Sequence, residues 1–362
     1  MTNTPLRIAL IAPPWFPVPP PGYGGIEAVV ALLADGLVEA GHDVTLFASG
    51  DSRTKAKLRA VYPTAPSAWI GNSQYELRHA LECLERASEF DIINDHSGLL
   101  GLTLGGVASA PLVHTVHGPV DGEAGRLYER LCRTLPSARL ISISMRQQRL
   151  RPLLPWVANC HNAIDFGAYQ LKDERGDYLL FLGRMSPNKG AHRAIEVARE
   201  TGLPLKIAAK KRDAREQAYF DQFVRPHLSD RIEYVGEASH DQKVELLRGA
   251  RAMLFPIDWE EPFGLVMVES MACGTPVIAT RRGAVPEVIE HGTIGLIVND
   301  HREMAAALET ADRLEPAEIR RRAELRFAPD RMVADYVSAY KRMLFGAQVP
   351  LAAYGTQAPI AA

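Results

Sequence analysis

The chain has 362 residues, 47% of them hydrophobic and 23% charged, with a formal net charge of −2. That length exceeds one ordinary core and suits two domains of about 150 residues each. The near-neutral balance excludes a general nucleic-acid binder or a coat for acidic membranes.

Taken in chain order, short apolar runs alternate with longer amphipathic ones, the pattern of a parallel sheet wrapped by helices. Arg7–Ala12 reads as a strand, too short and too proline-cut for a signal peptide or a membrane span. Gly25–Ala40 reads as a helix with Ile26, Val29, Val30, Leu33 and Leu37 on one face. After a turn at Gly41-His42, Val44–Ala48 is the next strand. Tyr75–Ser88 follows as a helix, and Asp91–Asn94, Leu112–Thr115 and Leu140–Ser144 as strands. A charged break, Lys172-Asp173-Glu174-Arg175-Gly176-Asp177, interrupts the alternation, which then restarts. Strands are expected at Tyr178–Leu182, Leu205–Ala209, Ile232–Val235, Ala252–Phe255, Pro276–Ala279 and Gly295–Val298. Helices are expected at Ala191–Thr201, Gln242–Gly249, Leu265–Ala272, Arg302–Leu314, Pro316–Arg326 and Asp330–Leu344.

Two such series, meeting near residue 170, predict an α/β protein of two similar domains with a cleft at the carboxyl ends of their strands. The expected division is 1–170, 171–328, a final helix at 329–346, and a disordered tail at 347–362 rich in Ala, Pro and Gly. The cysteines, Cys83, Cys132, Cys160 and Cys273, never fall at metal-ligand or redox spacing and read as buried thiols. No stretch reaches about 18 uninterrupted apolar residues, so the expected compartment is the cytoplasm, with at most peripheral contact at the inner membrane face. The basic clusters Lys210-Lys211-Arg212 and Arg320-Arg321-Arg322 read as solvated faces.

The densest chemical signal is EPFGLVMVESMACGTPVIAT, Glu261 to Thr280, in which Glu261 and Glu269 have seven residues between them. Pro262 and Gly264 turn the chain into the helix beginning at Leu265, whose first free N–H groups and dipole form an anion site suited to phosphate. Glu261 can accept hydrogen bonds from sugar hydroxyls, and Glu269, about two turns on, from a ribose diol. Upstream, in FLGRMSPNKG, Arg184 and Lys189 bracket a loop at a strand's carboxyl edge, where two cations can converge on a diphosphate. In PPPGYGGIE, Gly24-Gly25 between a strand and a helix allow close approach of the backbone to an anion. The spacing is not that of the dinucleotide fingerprint, which counts against a nicotinamide-dependent dehydrogenase. His96 in NDHSG closes a strand and faces the cleft, while His114 lies inside a strand and reads as structural. Trp259 reads equally as a ligand platform or as rim packing. There is no Asp-x-Asp pair, which argues against a divalent ion bridging the diphosphate.

Together these stretches, from the strand–GG–helix opening to the last helix, resemble the retaining glycosyltransferases of family 4. The resemblance extends to antibiotic-tailoring and cell-surface-polysaccharide members. It implies a GT-B fold, with two Rossmann-like domains facing across a cleft and the C-terminal helix returning to the N-terminal domain. It also implies transfer of a sugar from a nucleotide-diphosphate donor to an acceptor hydroxyl with retention, without a metal or other cofactor. The implied catalytic set is Glu261, His117, Arg184 and Lys189. Gly24 and Gly25 would close over the phosphates that Arg184 and Lys189 hold. Phe263, Gly264 and Leu265 would line the sugar–phosphate by their backbone, Glu269 would take the ribose, and Lys243 with Ala238-Ser239-His240 would lie at the base. His96 is a candidate on the acceptor side. Acceptor pockets would lie in the N-terminal loops at Ser49–Asn72 and Val120–Arg130, and the acceptor is a saccharide, a lipid-linked glycan or a small molecule. Two departures stand out: KIAAKK at Lys206–Lys211 where the family carries a glycine turn, and HNAID at His161–Asp165 where it carries N-G-V-D. A sugar-nucleotide epimerase and a non-catalytic sugar-nucleotide binder share the same two-domain plan.

Overall fold

The computed structural model describes residues 4–22, 24–171, 174 and 176–346. The tail expected at 347–362, and Lys172, Asp173 and Arg175 of the charged break, lie outside the described residues.

The N-terminal sheet contains β1 (Arg7–Ile11), β2 (Asp43–Phe47), β3 (Lys57–Arg59), β4 (Ile92–Asp95), β5 (Leu112–Val116), β6 (Leu140–Ser142) and β7 (Trp156–Asn159). Its order is β3-β2-β1-β4-β5-β6-β7, and every pairing is parallel. The C-terminal sheet contains β8 (Tyr178–Arg184), β9 (Leu205–Lys210), β10 (Ile232–Gly236), β11 (Ala250–Phe255), β12 (Val277–Thr280) and β13 (Gly295–Val298). Its order is β10-β9-β8-β11-β12-β13, again all parallel. Central strands such as β4 and β12 are buried along their whole length, as expected of sheets covered by helices on both faces.

In each sheet the chain winds outward from its first strand, returns, and winds the other way. The reversals fall between β1 and β4 and between β8 and β11. Ligands of open α/β sheets bind in the crevice at such a reversal, beyond the carboxyl ends of the strands. The sequence signals sit there. Gly24-Gly25 follow β1, His96 follows β4, Arg184 ends β8 with Lys189 in the loop beyond, and Glu261 follows β11.

Hydrophobic burial sets the remaining architecture. The helix Gly25–Glu39 buries Val29, Val30, Leu33 and Leu37 against β1 and β2. The same cluster receives Met332, Val333, Tyr336, Ala339 and Tyr340 from the final helix, Pro329–Phe345, so that helix crosses back to the N-terminal domain. Each of the larger apolar side chains removed from water contributes on the order of 2 kcal/mol. Leu265, the first residue of the helix Leu265–Ala272, packs against the main cores of both domains. Among the described residues no helix is long and apolar enough to cross a membrane.

Several expectations need correction. Val120–Arg130 is not a loop: most of it belongs to the helix Gly122–Thr134, which sinks Tyr128 into a small cluster with Leu102 and Val116. Ser49–Asn72 contains the edge strand β3. The elements Leu99–Leu104, Met145–Leu150, β7, Ala214–Phe223 and Val285–Val288 were not anticipated. Arg302–Leu314 is a short 3₁₀ turn at His301–Glu303 followed by a helix at Met304–Ala311. Arg320 is no part of a solvated face. It donates to the carbonyls of Phe166 and Ala272 at 2.9 and 2.7 Å and to that of Tyr169, tying the crossover between domains to the helix Leu265–Ala272.

Candidate active site

Glu261 lies in the loop after β11 and is almost fully buried, as is Glu269 on the helix behind it. Buried carboxylates need partners, and both have them. Lys189 forms an ion pair with Glu261, and the Trp259 indole N–H donates to the same carboxylate at 3.1 Å. The Lys189 ammonium stands 4.7 Å from the centroid of the Trp259 ring and 5.8 Å from that of Phe255. Trp259 is therefore a wall of the Lys189–Glu261 pair. Glu269 accepts from Lys243 Nζ at 2.6 Å and from the Tyr169 hydroxyl at 2.9 Å. Burial, then the Glu269 charge, pushes the Tyr169 phenol far up, so it stays protonated and donates to Glu269. The four charged groups that the sequence named separately are thus two cation–carboxylate pairs.

Gly264 caps the helix Leu265–Ala272 in the left-handed region, φ 88°, and no side-chain hydrogen bond caps that helix start. Phe263 is almost wholly buried, its ring turned inward against Phe327 with centroids 5.7 Å apart. Across the cleft, a Cβ on Gly25 would stand 3.3 Å from Leu265 Cδ1. The glycine turn of one domain and the helix start of the other therefore meet.

Arg184 is exposed at the end of β8 and makes no ion pair or side-chain hydrogen bond among the described residues. Its strand neighbour is Lys210, which burial first, and Arg212 second, lower to about 8. The lysine of KIAAKK thus stands beside Arg184 at the same sheet edge. Lys211 instead lies over the rings of Phe220 and Tyr234, at 3.6 and 4.6 Å.

In the N-terminal domain His96 is buried and His117 half-buried, and His96 Nδ1 lies 2.8 Å from His117 Nε2. Burial lowers His96 well below the imidazole range, and burial followed by His114 lowers His117 to about 3. Both rings are neutral at physiological pH. Both nitrogens of His96 are engaged within the protein, the second at 3.1 Å from Asn94 Oδ1. His114 is a buried partner of Asp95 at 2.6 Å and of Tyr128 at 3.1 Å.

Glu27, in the first turn of the helix after Gly24-Gly25, is buried, and desolvation raises it to about 7. Below that pH it is neutral, and an anion at the glycine turn meets no opposing charge. A raised carboxyl group stabilises the fold fully below the unfolded value of 4.5, and this contribution is lost as pH rises through about 7. Glu27→Gln is therefore expected to gain on the unsubstituted protein by roughly 2–3 kcal/mol between pH 5 and pH 8. Denaturant titrations at the two pH values measure this, and a constant difference between the proteins would contradict it.

Beside the site, Arg146 of the N-terminal domain forms a two-pronged pair with Glu260, at 2.7 and 3.0 Å, holding that carboxyl group below the usual range. Glu287 accepts from the backbone N–H groups of Met145 and Arg146 at 2.6 and 2.5 Å. These contacts bind the start of the helix Met145–Leu150 to the C-terminal domain. Tyr169, Glu260, Arg146 and Glu287 carry no local motif; only their spatial partners reveal them.

Comparison with known proteins follows the same division. Residues 167–326 match the family model described as glycosyl transferases group 1, and residues 23–165 match that for glycosyltransferase family 4. A D-inositol 3-phosphate glycosyltransferase from Pseudarthrobacter chlorophenolicus is 25% identical over 85% of this chain and 86% of its own. A glycogen synthase from Mycobacterium tuberculosis is 26% identical over 91% of each chain. Among solved structures, AviGT4, a glycosyltransferase involved in avilamycin A biosynthesis, superposes with a TM-score of 0.70 at 28% identity, covering 95% of this chain and 99% of that one. Anabaena Alr3699/HepE, solved with UDP and glucose, shares the fold with a TM-score of 0.71 at 19% identity, covering 92% of this chain and 98% of that one.

Proposed function

We propose that this chain, which belongs to the family 4 glycosyltransferases of the GT-B fold, moves a sugar from a nucleotide diphosphate to an acceptor hydroxyl with retention and without a metal ion. The observation that carries this reading is the Lys189–Glu261 pair beside the uncapped start of the helix Leu265–Ala272, at the strand reversal between β8 and β11. A sugar hydroxyl is matched by Glu261, and the adjoining phosphates by Lys189, Arg184 and the free amides after Gly264. Glu269, paired with Lys243 and held by the Tyr169 hydroxyl, suits the ribose diol, with Lys243 towards the base. Gly24 and Gly25 close over the phosphates from the other domain, and His117 lies towards the reacting sugar.

As the bond between the anomeric carbon and the diphosphate breaks, its electron pair passes to the leaving phosphate oxygen. The acceptor oxygen bonds to the same face of that carbon, and its proton passes to the leaving oxygen. Positive side chains and helix amides aimed at the departing phosphate lower this barrier electrostatically, the task a divalent ion performs elsewhere. The acceptor approaches from the N-terminal side, but not through His96, which is buried with both ring nitrogens engaged within the protein.

The test is a thermal-shift screen against uridine, guanosine, adenosine and thymidine diphosphate sugars, since a ligand that binds only the folded state raises its apparent stability. A product assay with the shifting donor follows, with and without candidate acceptors and with chelator throughout. Conversion of the donor alone would indicate an epimerase, and binding without turnover a non-catalytic protein. Loss of transfer on chelation, restored by a divalent ion, would overturn the metal-free reading.

A further inference from the structure

We infer that Asn94, anchored by Tyr340 of the C-terminal helix, is a positioning residue that fixes the tautomers of His96 and His117, so that His117 turns a bare Nδ1 lone pair towards a sugar hydroxyl. Its last clause rests on the function proposed above; the tautomers themselves do not.

The assignment follows from which atoms can donate. Asn94 is fully buried on β4, and its Nδ2 donates to the Val113 carbonyl at 3.2 Å and to Thr115 Oγ1 at 3.0 Å. A backbone carbonyl only accepts, so the amide cannot be turned over, and Oδ1 must face the other way. That oxygen accepts from the Tyr340 hydroxyl at 2.7 Å and lies 3.1 Å from His96 Nε2. An amide oxygen has no proton to give, so His96 Nε2 carries the hydrogen. A neutral imidazole has one N–H, which leaves His96 Nδ1 as a lone pair. His117 Nε2, 2.8 Å from it, must donate. By the same rule His117 Nδ1 is bare. It has no partner among the described residues, and its ring is partly exposed. Such an atom accepts from a hydroxyl and repels a phosphate oxygen, so it selects the sugar side of a sugar nucleotide.

Tyr340 lies 246 positions along the chain from Asn94. Its neighbour one helical turn back, Tyr336, sets its ring 5.9 Å from that of His96. The helix that crosses back to the N-terminal domain therefore does more than cover a core: it ends a chain of donors and acceptors running Tyr340, Asn94, His96, His117. Asn94 touches no substrate, and it acts through the two rings.

Two-bond proton–nitrogen spectra of the full chain with ¹⁵N-labelled histidines, assigned with a His117→Gln variant, test this without any turnover. Both rings are expected as single neutral Nε2–H tautomers. Asn94→Leu is expected to let both average between tautomers and to raise the donor KM about tenfold with little change in kcat. Asn94→Asp, which keeps an acceptor in place, is expected to restore the Nε2–H form of His96. A proton on His117 Nδ1, averaging in the unsubstituted protein, or unchanged tautomers in Asn94→Leu would overturn the inference. If Asn94→Leu does not fold, the unsubstituted spectrum alone decides. Absence of glycosyl transfer would leave the spectra readable and would count against the proposed function instead.

Discussion

Lys189→Met is expected to lower kcat/KM by about a hundredfold or more while the protein stays folded. The magnitude is that of losing one preorganised charge at a leaving group in a site shielded from water. Lys189 and Glu261 side chains are only 15% and 9% exposed, and the lysine is held between the rings of Phe255 and Trp259. Removing the cation leaves Glu261 with the Trp259 N–H alone, and losing a charged hydrogen bond of this kind costs about 1.5–3 kcal/mol of stability. Glu261→Gln strands the ammonium in the same way and is expected to be as inactive. The double variant tells stability from catalysis. With both charges gone the destabilisation should be much smaller than the sum of the single effects, whereas activity should not return. Lys189→Arg should also fail to rescue, because a planar guanidinium does not fit where a compact ammonium sits against two rings. Denaturation curves and steady-state kinetics on the four proteins decide the matter; near-normal turnover in either single variant removes both residues from the site.

The sequence shows the parts of this site that are local in the chain and hides those that are not. The helix Leu265–Ala272 and the helix Ala191–Thr201 are legible to the residue, because a glycine or proline breaks the pattern before each and apolar spacing carries it on. Glu261 and Glu269 are legible as candidates because Pro262 and Gly264 announce a helix start between them, with Glu261 just before the helix and Glu269 upon it. That each carboxylate is matched with a lysine is not legible. Lys189 stands 72 positions from Glu261, and Lys243 stands 26 from Glu269, brought there by sheet order rather than by spacing. Tyr169, 100 positions from Glu269, sits in a crossover with no periodicity to read. The helix Gly122–Thr134 is legible, since Tyr128, Leu131 and Cys132 recur at helical spacing and pack on one small cluster; only the resemblance, which places acceptor loops there, argues for a loop. The strand β3 is three residues long and lies at the sheet edge, too short for alternation to register.

Gly283→Ala carries the second large effect, and it involves no functional group at all. Gly283 lies in the loop after β12 with φ +52°, and a Cβ there would fall 2.2 Å from the backbone nitrogen of Glu261 and 2.4 Å from its carbonyl oxygen. The next residue, Ala284, donates its N–H to that same carbonyl at 2.9 Å. The loop therefore props the backbone of Glu261 from behind, and backbone, unlike a flexible side chain, cannot swing aside. Adding one methyl group must displace Glu261, and a shift of about 1 Å in a positioned group costs on the order of a hundredfold in rate. Left-handed strain adds about 1–2 kcal/mol of destabilisation. Gly292→Ala separates the two contributions, since Gly292 is also left-handed, at φ +81°, but has nothing within 4 Å of its added Cβ. It should lose only the stability that left-handed strain costs, and keep its activity. If Gly283→Ala proves as active as Gly292→Ala, the position of the Glu261 backbone does not govern the reaction, and the carboxylate acts through a looser geometry than the one described.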